Sequence, residues 1–360
     1  MPSSSYLPIY KLTRGKTVES VHYGAVAVVD VSGNLVAWYG DPNAVTFLRS
    51  SAKPFQVMPL FEHGGKEAYD LTNREIAIMC SSHSGTDEQF DLVQSIQEKI
   101  SVHESNLLCG VHYPLNENTA DRMRKNGVQP TPNRHNCSGM HTGLLGYVEM
   151  MEGSSPQTSE GLTYIDPNHP VQEEILASFA GMCNMSEDRI AIGIDGCSLS
   201  TFGVPLRNAA LAYARLCDPE AGEVLPTERA SACHTITEAM TSNPDMVGGP
   251  GRFDTRLMEV AGGRVVTKGG AEGFQGVGLM PGVMGSSSQA LGIAIKISDG
   301  DARGSVCSAV TLEVLHQLEV LSPGEMAAMA EFGPSTPVYN LRDIKVGQAR
   351  PSVALEFASG

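Results

Sequence analysis

No apolar run in this sequence is long enough to cross a membrane as a helix, and the first twenty residues, MPSSSYLPIYKLTRGKTVES, contain no apolar signal core. The expectation is a cytoplasmic protein with no membrane partner. The eight cysteines, from Cys80 to Cys307, include no C-x-x-C pair. Without a secretion signal they are expected to be reduced thiols, most of them buried as small apolar groups. Positive charge is scarce. Lys and Arg number 25 against 40 Asp and Glu, a net charge of −15, and such a polyanion repels nucleic-acid backbones and anionic lipid. Internal repeats and low-complexity tracts are absent. Charged residues are only 18% and hydrophobic residues 41%, which excludes a disordered, fibrous or coiled-coil chain. At 360 residues the chain can bury a core of one large domain or two modest ones without disulfides.

Turn-forming residues are plentiful, with 38 Gly and 21 Pro, and they divide the chain into elements. Residues 24–38, GAVAVVDVSGNLVAW, read as a hairpin about Ser32-Gly33-Asn34. Lys53 to Phe61 reads as a short helix, with Pro54 in its first turn and Pro59 ending or kinking it. Ile76–Cys80 reads as a short buried strand or a helix end, running into a polar turn, Ser81–Gly85. Thr86 then caps a helix with Phe90, Val93, Ile96 and Ile100 on one face. Helical spacing recurs over 139–151, after Asp166-Pro-Asn-His-Pro170, over 205–217 and 227–241, and over 306–318. A charged loop is expected at Glu152–Glu160, and strands at 189–194 and 291–297. Hairpins, isolated strands and segregated helices in this mixture predict an α+β fold.

Three short patterns bear chemistry. Ser50-Ser51-Ala52-Lys53 puts a hydroxyl and an amine three residues apart, on one face of a helix. Ser50 is the only serine three residues before a lysine, and an unprotonated lysine can activate a serine nucleophile. Ser82-His83-Ser84 lies in the polar turn, and Lys268-Gly269-Gly270 follows the apolar pair Val265-Val266. Singly each fits an ordinary turn or helix start. In this chain order they form the layout of penicillin-recognising serine enzymes and serine glutaminases, in which two lysines converge on two serines. Mutual repulsion there would leave one lysine neutral enough to serve as base. Gly269 would let a substrate approach the main chain closely. Cys137 and Cys197 each sit at a turn. With His141 they could form a soft metal site, or they could be two unconnected buried thiols.

The strings LRSSAKPFQ, CSSHSGTDE, HNCSGMHTGLL, GIDGCSLSTFGVPL, PDMVGGPGRFDTRLM and VTKGGAEGFQGVGLM occur in that order. Over about residues 20–320 the sequence resembles the Rhizobium etli-type L-asparaginases, the asparaginase II family. The resemblance implies a fold like that of serine β-lactamases, penicillin-binding proteins and glutaminases, with a mixed or antiparallel sheet and a helical lobe. It implies an extension over 1–20 and a single catalytic domain over 21–360. Within that domain, 21–60 and 260–360 would form the sheet and about 61–259 the helical lobe. Ser50 and Lys53 match the family's first Ser–Lys tandem, and Ser82 and Lys268 the second. Arg49, His83 and Asp195 match substrate-pocket positions, where an arginine fork suits an α-carboxylate and Asp195 an α-ammonium. Cys137 and Cys197 match the family's zinc-binding cysteines. The third zinc ligand, a lysine in Cys-Ser-Gly-Lys-His, is here Met140, a neutral thioether that replaces an amine poorly for zinc. The implied activity is hydrolysis of asparagine to aspartate and ammonia through a serine acyl-enzyme, with no cofactor required, by a homodimer. The alternative is a repurposed relative that acts on another amide or acyl group, or binds without turnover.

Overall fold

The computed structural model describes residues 5–152, 161–286 and 288–358. The loop expected at Glu152–Glu160 therefore lies, beyond Glu152, outside the described residues. In chain order the strands are β1 (Leu7–Arg14), β2 (Thr17–Asp30), β3 (Leu35–Tyr39), β4 (Val45–Phe47), β5 (Ala191–Ile194) and β6 (Ser200–Pro205). They continue with β7 (Val265–Gly270), β8 (Phe274–Leu279), β9 (Leu291–Ile297), β10 (Thr336–Tyr339), β11 (Lys345–Pro351) and β12 (Glu356–Phe357). With the helices between them they make an α+β protein. The chain divides into two compact units. One holds Met1–Ser51, Gly203–Gly222 and Val260–Gly360, the other Ala52–Phe202 and Glu223–Glu259. No helix among the described residues is long and apolar enough to cross a membrane.

The first unit is built on an antiparallel sheet in the order β10-β11-β1-β2-β9-β8-β7. The long strand β2 pairs with β1 through its first half and with β3 through its second, and β12 lies outside β3. The expected hairpin is β2–β3. Its turn is tied by Asp30, whose Oδ1 accepts from the N–H groups of Ser32 and Asn34, both at 2.9 Å. From Gly24 to Val29, β2 is wholly buried, as are all of β8 and β9. A buried Val or Ile there contributes about 1.5–3 kcal/mol. Helix Leu206–Cys217 lies on β2, β8 and β9. Its close approach needs glycines beneath it: a methyl at Gly292 would strike the Ala210 carbonyl, and one at Gly276 the Tyr213 ring. The sheet unit thus takes residues 203–222 from the stretch expected as helical lobe, and β1 from the stretch expected as an extension.

The second unit is mainly helical. The helix expected over Lys53–Phe61 forms as two short ones, Lys53–Gln56 and Met58–Glu62, with Pro54 and Pro59 in their respective first turns. Proline at position 59 has no N–H to continue the first helix, so the second begins there. Ile76–Cys80 resolves as the end of helix Asn73–Met79, started by a capping box between Thr72 and Glu75. Thr86 and Gln89 make the same box for helix Asp87–Lys99. Helix Ser138–Glu152 passes so close to Asn73–Met79 that a methyl on Gly139 would strike the Ile78 carbonyl. That contact brings the chain just before helix Ser138–Glu152 beside the loop that follows Met79.

Candidate active site

In the helical unit the loop Ser81–Gly85 is buried throughout and tied by its main chain. Ser82 N–H donates to Val247 O (3.1 Å) and His83 N–H to Asn136 O (3.1 Å), while Ser84 Oγ donates to Gly248 O (2.8 Å). Lys53, 1% exposed, meets this loop. Its Nζ donates to Ser81 O at 2.6 Å, Ser82 Oγ at 3.0 Å and Cys137 Sγ at 3.1 Å. Three acceptors thus surround Nζ. The structure therefore brings together Lys53, Ser82 and Cys137, residues from both the Ser–Lys and the cysteine patterns.

Cys137 is held well below the usual thiol range by a hydrogen bond from Cys197, and further by the Lys53 charge and by His135. The same hydrogen bond and burial push the Cys197 thiol up, so it is the donor of the pair. Cys197 is carried on a turn after β5 that Asp195 N–H closes onto Leu199 O (2.8 Å). Asp195 itself is half-buried at the mouth of that turn. His83 has no exposed surface. Its Nδ1 accepts from Gly85 N–H (3.1 Å), so Nε2 carries the proton and donates to Ser138 Oγ (2.9 Å), which donates on to Asn133 O. Burial, reinforced by the Lys53 charge, lowers the His83 pKa to about 3. Both its ring nitrogens are engaged within the unit, so a substrate contact would have to displace one of these bonds.

The sheet unit holds the other candidates. Ser50 is half-buried in the 3-10 turn Arg49–Ala52, and Arg49 before it has a left-handed φ of 52°. Arg49 lies 3.9 Å from Glu272. The neighbouring hydroxyl, Ser51, is fully buried and bonds the Lys268 carbonyl, while Tyr213 OH donates to Ser51 O (2.8 Å). A methyl at Gly270 would strike Leu48 O, so the end of β7 is pressed against the chain that leads into Ser50. Lys268 is 1% exposed and its Nζ donates to Gly269 O (2.6 Å). Gly269 is half-buried. Sequence reasoning missed Ser51, Tyr213, Ser81 and His135. Ser51 and Ser81 had local signals, as the second serine of the motif and the first residue of the polar turn.

A zinc ion on Cys137 and Cys197 does not fit these residues. The Cys137 sulfur already takes hydrogen bonds from Lys53 and Cys197. Met140, 1% exposed, offers a neutral thioether where the family pattern has an amine. Among the described residues no group of three or more His, Cys, Asp or Glu side chains is placed to hold a metal.

The sequence model of the L-asparaginase II family matches residues 10–351. No curated protein matches the chain. Among solved structures, it is similar to the Bacillus subtilis glutaminase YbgJ in covalent complex with 5-oxo-L-norleucine. The TM-score is 0.38 at 13% identity, over 83% of this chain and 89% of that one. It is similar to native Mglu with a TM-score of 0.40 at 11% identity, over 83% of this chain and 65% of that one. Similarity at that level leaves the family match as the finding that identifies the chain.

Proposed function

Because this chain belongs to the L-asparaginase II family, a family of amidohydrolases, we propose that it hydrolyses L-asparagine to L-aspartate and ammonia. The match over nearly the whole chain carries this reading, and the full set of Ser50, Lys53, Ser82 and Lys268 supports it. In the proposed mechanism Ser50 Oγ attacks the side-chain amide carbon. Lys53 takes the hydroxyl proton and returns it to the departing amine, which leaves as ammonia. Water then attacks the acyl-enzyme by the same exchange in reverse, releasing aspartate and restoring Ser50. Ser82, bonded to Lys53, relays protons, and Lys268 lends positive charge. Arg49 binds the α-carboxylate, Asp195 the α-ammonium, and Gly269 leaves room for the substrate against the main chain. His83 orders the Ser81–Gly85 loop, since its ring is already satisfied. No step uses a metal.

The reading is tested by measuring ammonia release from asparagine, from glutamine and from simple esters, before and after mild chelation. Turnover of asparagine, unchanged by chelation, is expected. Turnover of another amide or ester with asparagine untouched would replace it by the second reading, a repurposed relative, which Met140 favours. Stoichiometric zinc retained by the purified protein, with activity lost on its removal, would overturn the metal-free mechanism.

A further inference from the structure

In the sheet unit, Ala271, Glu272 and Gly273 make the turn from β7 to β8, between the paired Gly270 and Phe274. Glu272 and Gly273 both have a left-handed φ, 60° and 67°. Glycine adopts that backbone without strain, as it does at 273, but at 272 the chain carries a glutamate there at a cost. The Glu272 carbonyl accepts from Lys296 Nζ on β9, and its carboxylate lies against Gly300, where a methyl would strike Oε2. Lys296 is thus bonded to the main chain of the turn. The cation beside the Glu272 carboxylate is Arg49, with Nη1 3.9 Å from Oε1.

Arg49 directly precedes Ser50, and its own φ of 52° is left-handed as well. Two long charged side chains therefore meet from two backbone positions that would suit glycine. Outliers of this kind gather at ligand sites. At 3.9 Å the pair is too long for a hydrogen bond, and the Glu272 side chain is 66% exposed against 25% for Arg49. An exposed pair of that length adds little to stability, so stability does not account for the strain. The pair does set an anion beside a cation, with the anion toward solvent. A ligand with an ammonium and a carboxylate on one carbon can hydrogen-bond both. A simple carboxylic acid gains only Arg49 and is repelled by Glu272.

We propose that Glu272 is a specificity-determining residue that takes the substrate's α-ammonium while Arg49 takes the α-carboxylate, so that the sheet unit itself selects an α-amino acid over a simple carboxylic acid. This rests on the amidohydrolase reading and adds a residue to it. An ammonium has three N–H bonds, so the role leaves that of Asp195 in place. The test compares asparagine with succinamate, the same amide without its α-amino group. In Glu272→Gln the ratio of kcat/KM for asparagine to that for succinamate should fall on the order of tenfold. If Glu272 only braced Arg49, both substrates would lose equally, since both carry the carboxylate, and an unchanged ratio would overturn the proposal. Glu272→Gly, which suits the left-handed φ, should show the same fall with the melting temperature preserved, and a ratio kept in that variant would overturn it too. Calorimetry with aspartate and succinate separates the proposal from the amidohydrolase reading. A wild type that releases no ammonia from either amide would sink that reading alone. The proposal would still require the wild type to bind aspartate more tightly than succinate, with the preference reduced about tenfold in Glu272→Gln. A wild type that does not prefer aspartate, or a preference untouched by the substitution, would overturn it.

Discussion

In the sheet unit the candidate residues are fixed through the main chain. Ser51 bonds the Lys268 carbonyl, Tyr213 bonds the Ser51 carbonyl, and Gly270 lets β7 press on Leu48. In the helical unit they are fixed through one another: Lys53 to Ser82 and Cys137, Cys137 to Cys197, His83 to Ser138. None of the bonds in the first arrangement uses the Ser50 hydroxyl. The second ties each of these side chains to another buried polar group. A substitution in the first should therefore separate chemistry from stability, whereas one in the second should change both.

The largest effect tests that separation. Ser50→Ala should abolish ammonia release from asparagine, by a factor on the order of 10⁶ if Ser50 is the nucleophile, with an unchanged melting temperature. Ser51→Ala should do the reverse, lowering stability by about 1 kcal/mol for its buried hydrogen bond while turnover persists. If Ser50→Ala kept most of its activity, the roles of the two neighbouring serines would have to be exchanged or Ser82 promoted.

Legibility in the sequence follows the same division. The β2–β3 hairpin, the proline-started helices at Pro54 and Pro59, and the Thr86 cap are local features, and local residues announce them. β1 hid inside the expected extension because bulges at Pro8/Tyr10 and Leu12/Thr13 break its alternation. Its buried residues, Ile9, Tyr10 and Leu12, do not alternate along the strand. The Lys53 partners Ser81 and Cys137 lie 28 and 84 residues away, so no spacing rule reaches them. Family resemblance placed Cys137 near the chemistry, but it could not show that Lys53 would be the side chain on its sulfur.

The helical unit should also be the acid-sensitive one. His83 and His141 are fully buried, and burial lowers each pKa to about 3. In the unfolded chain a histidine titrates near 6.5. Between those values the unfolded state binds protons that the folded state does not, so stability is complete above about pH 6.5 and is lost as the pH falls toward 3. At pH 4.5 each histidine should cost about 3 kcal/mol. Thermal unfolding at pH 7 and 4.5 would read this loss, and His141→Gln should recover part of it. An equal loss in the variant and the wild type would remove His141 as a cause.

The sheet unit is expected to be brittle in another way, by volume and not by charge. Gly292→Ala puts a methyl against the Ala210 carbonyl, where backbone cannot yield as a flexible side chain would. A cost of about 1–3 kcal/mol is expected, independent of pH. The cost should be smaller at Gly33, where a methyl would meet only Leu211 side-chain carbons, although its positive φ adds strain of its own. Equal melting temperatures for wild type and Gly292→Ala would mean that helix Leu206–Cys217 does not bear on β9 as closely as described.

The smallest effect comes from Tyr213→Phe, which removes one hydroxyl and keeps the ring against Gly276. The Ser51 carbonyl then loses its 2.8 Å donor in a place without exposed surface. A buried acceptor left unmade costs about 1 kcal/mol or somewhat more, and a carbonyl with a second lone pair falls at the low end of that range. The larger interest lies in what happens to turnover. If main-chain anchoring positions the Ser50 turn, as the comparison of the two units implies, Tyr213→Phe should lower kcat several-fold with KM little changed, because the substrate's own contacts remain. A variant that lost stability while keeping the full kcat would show that the Tyr213 bond braces the sheet unit and has no part in holding Ser50.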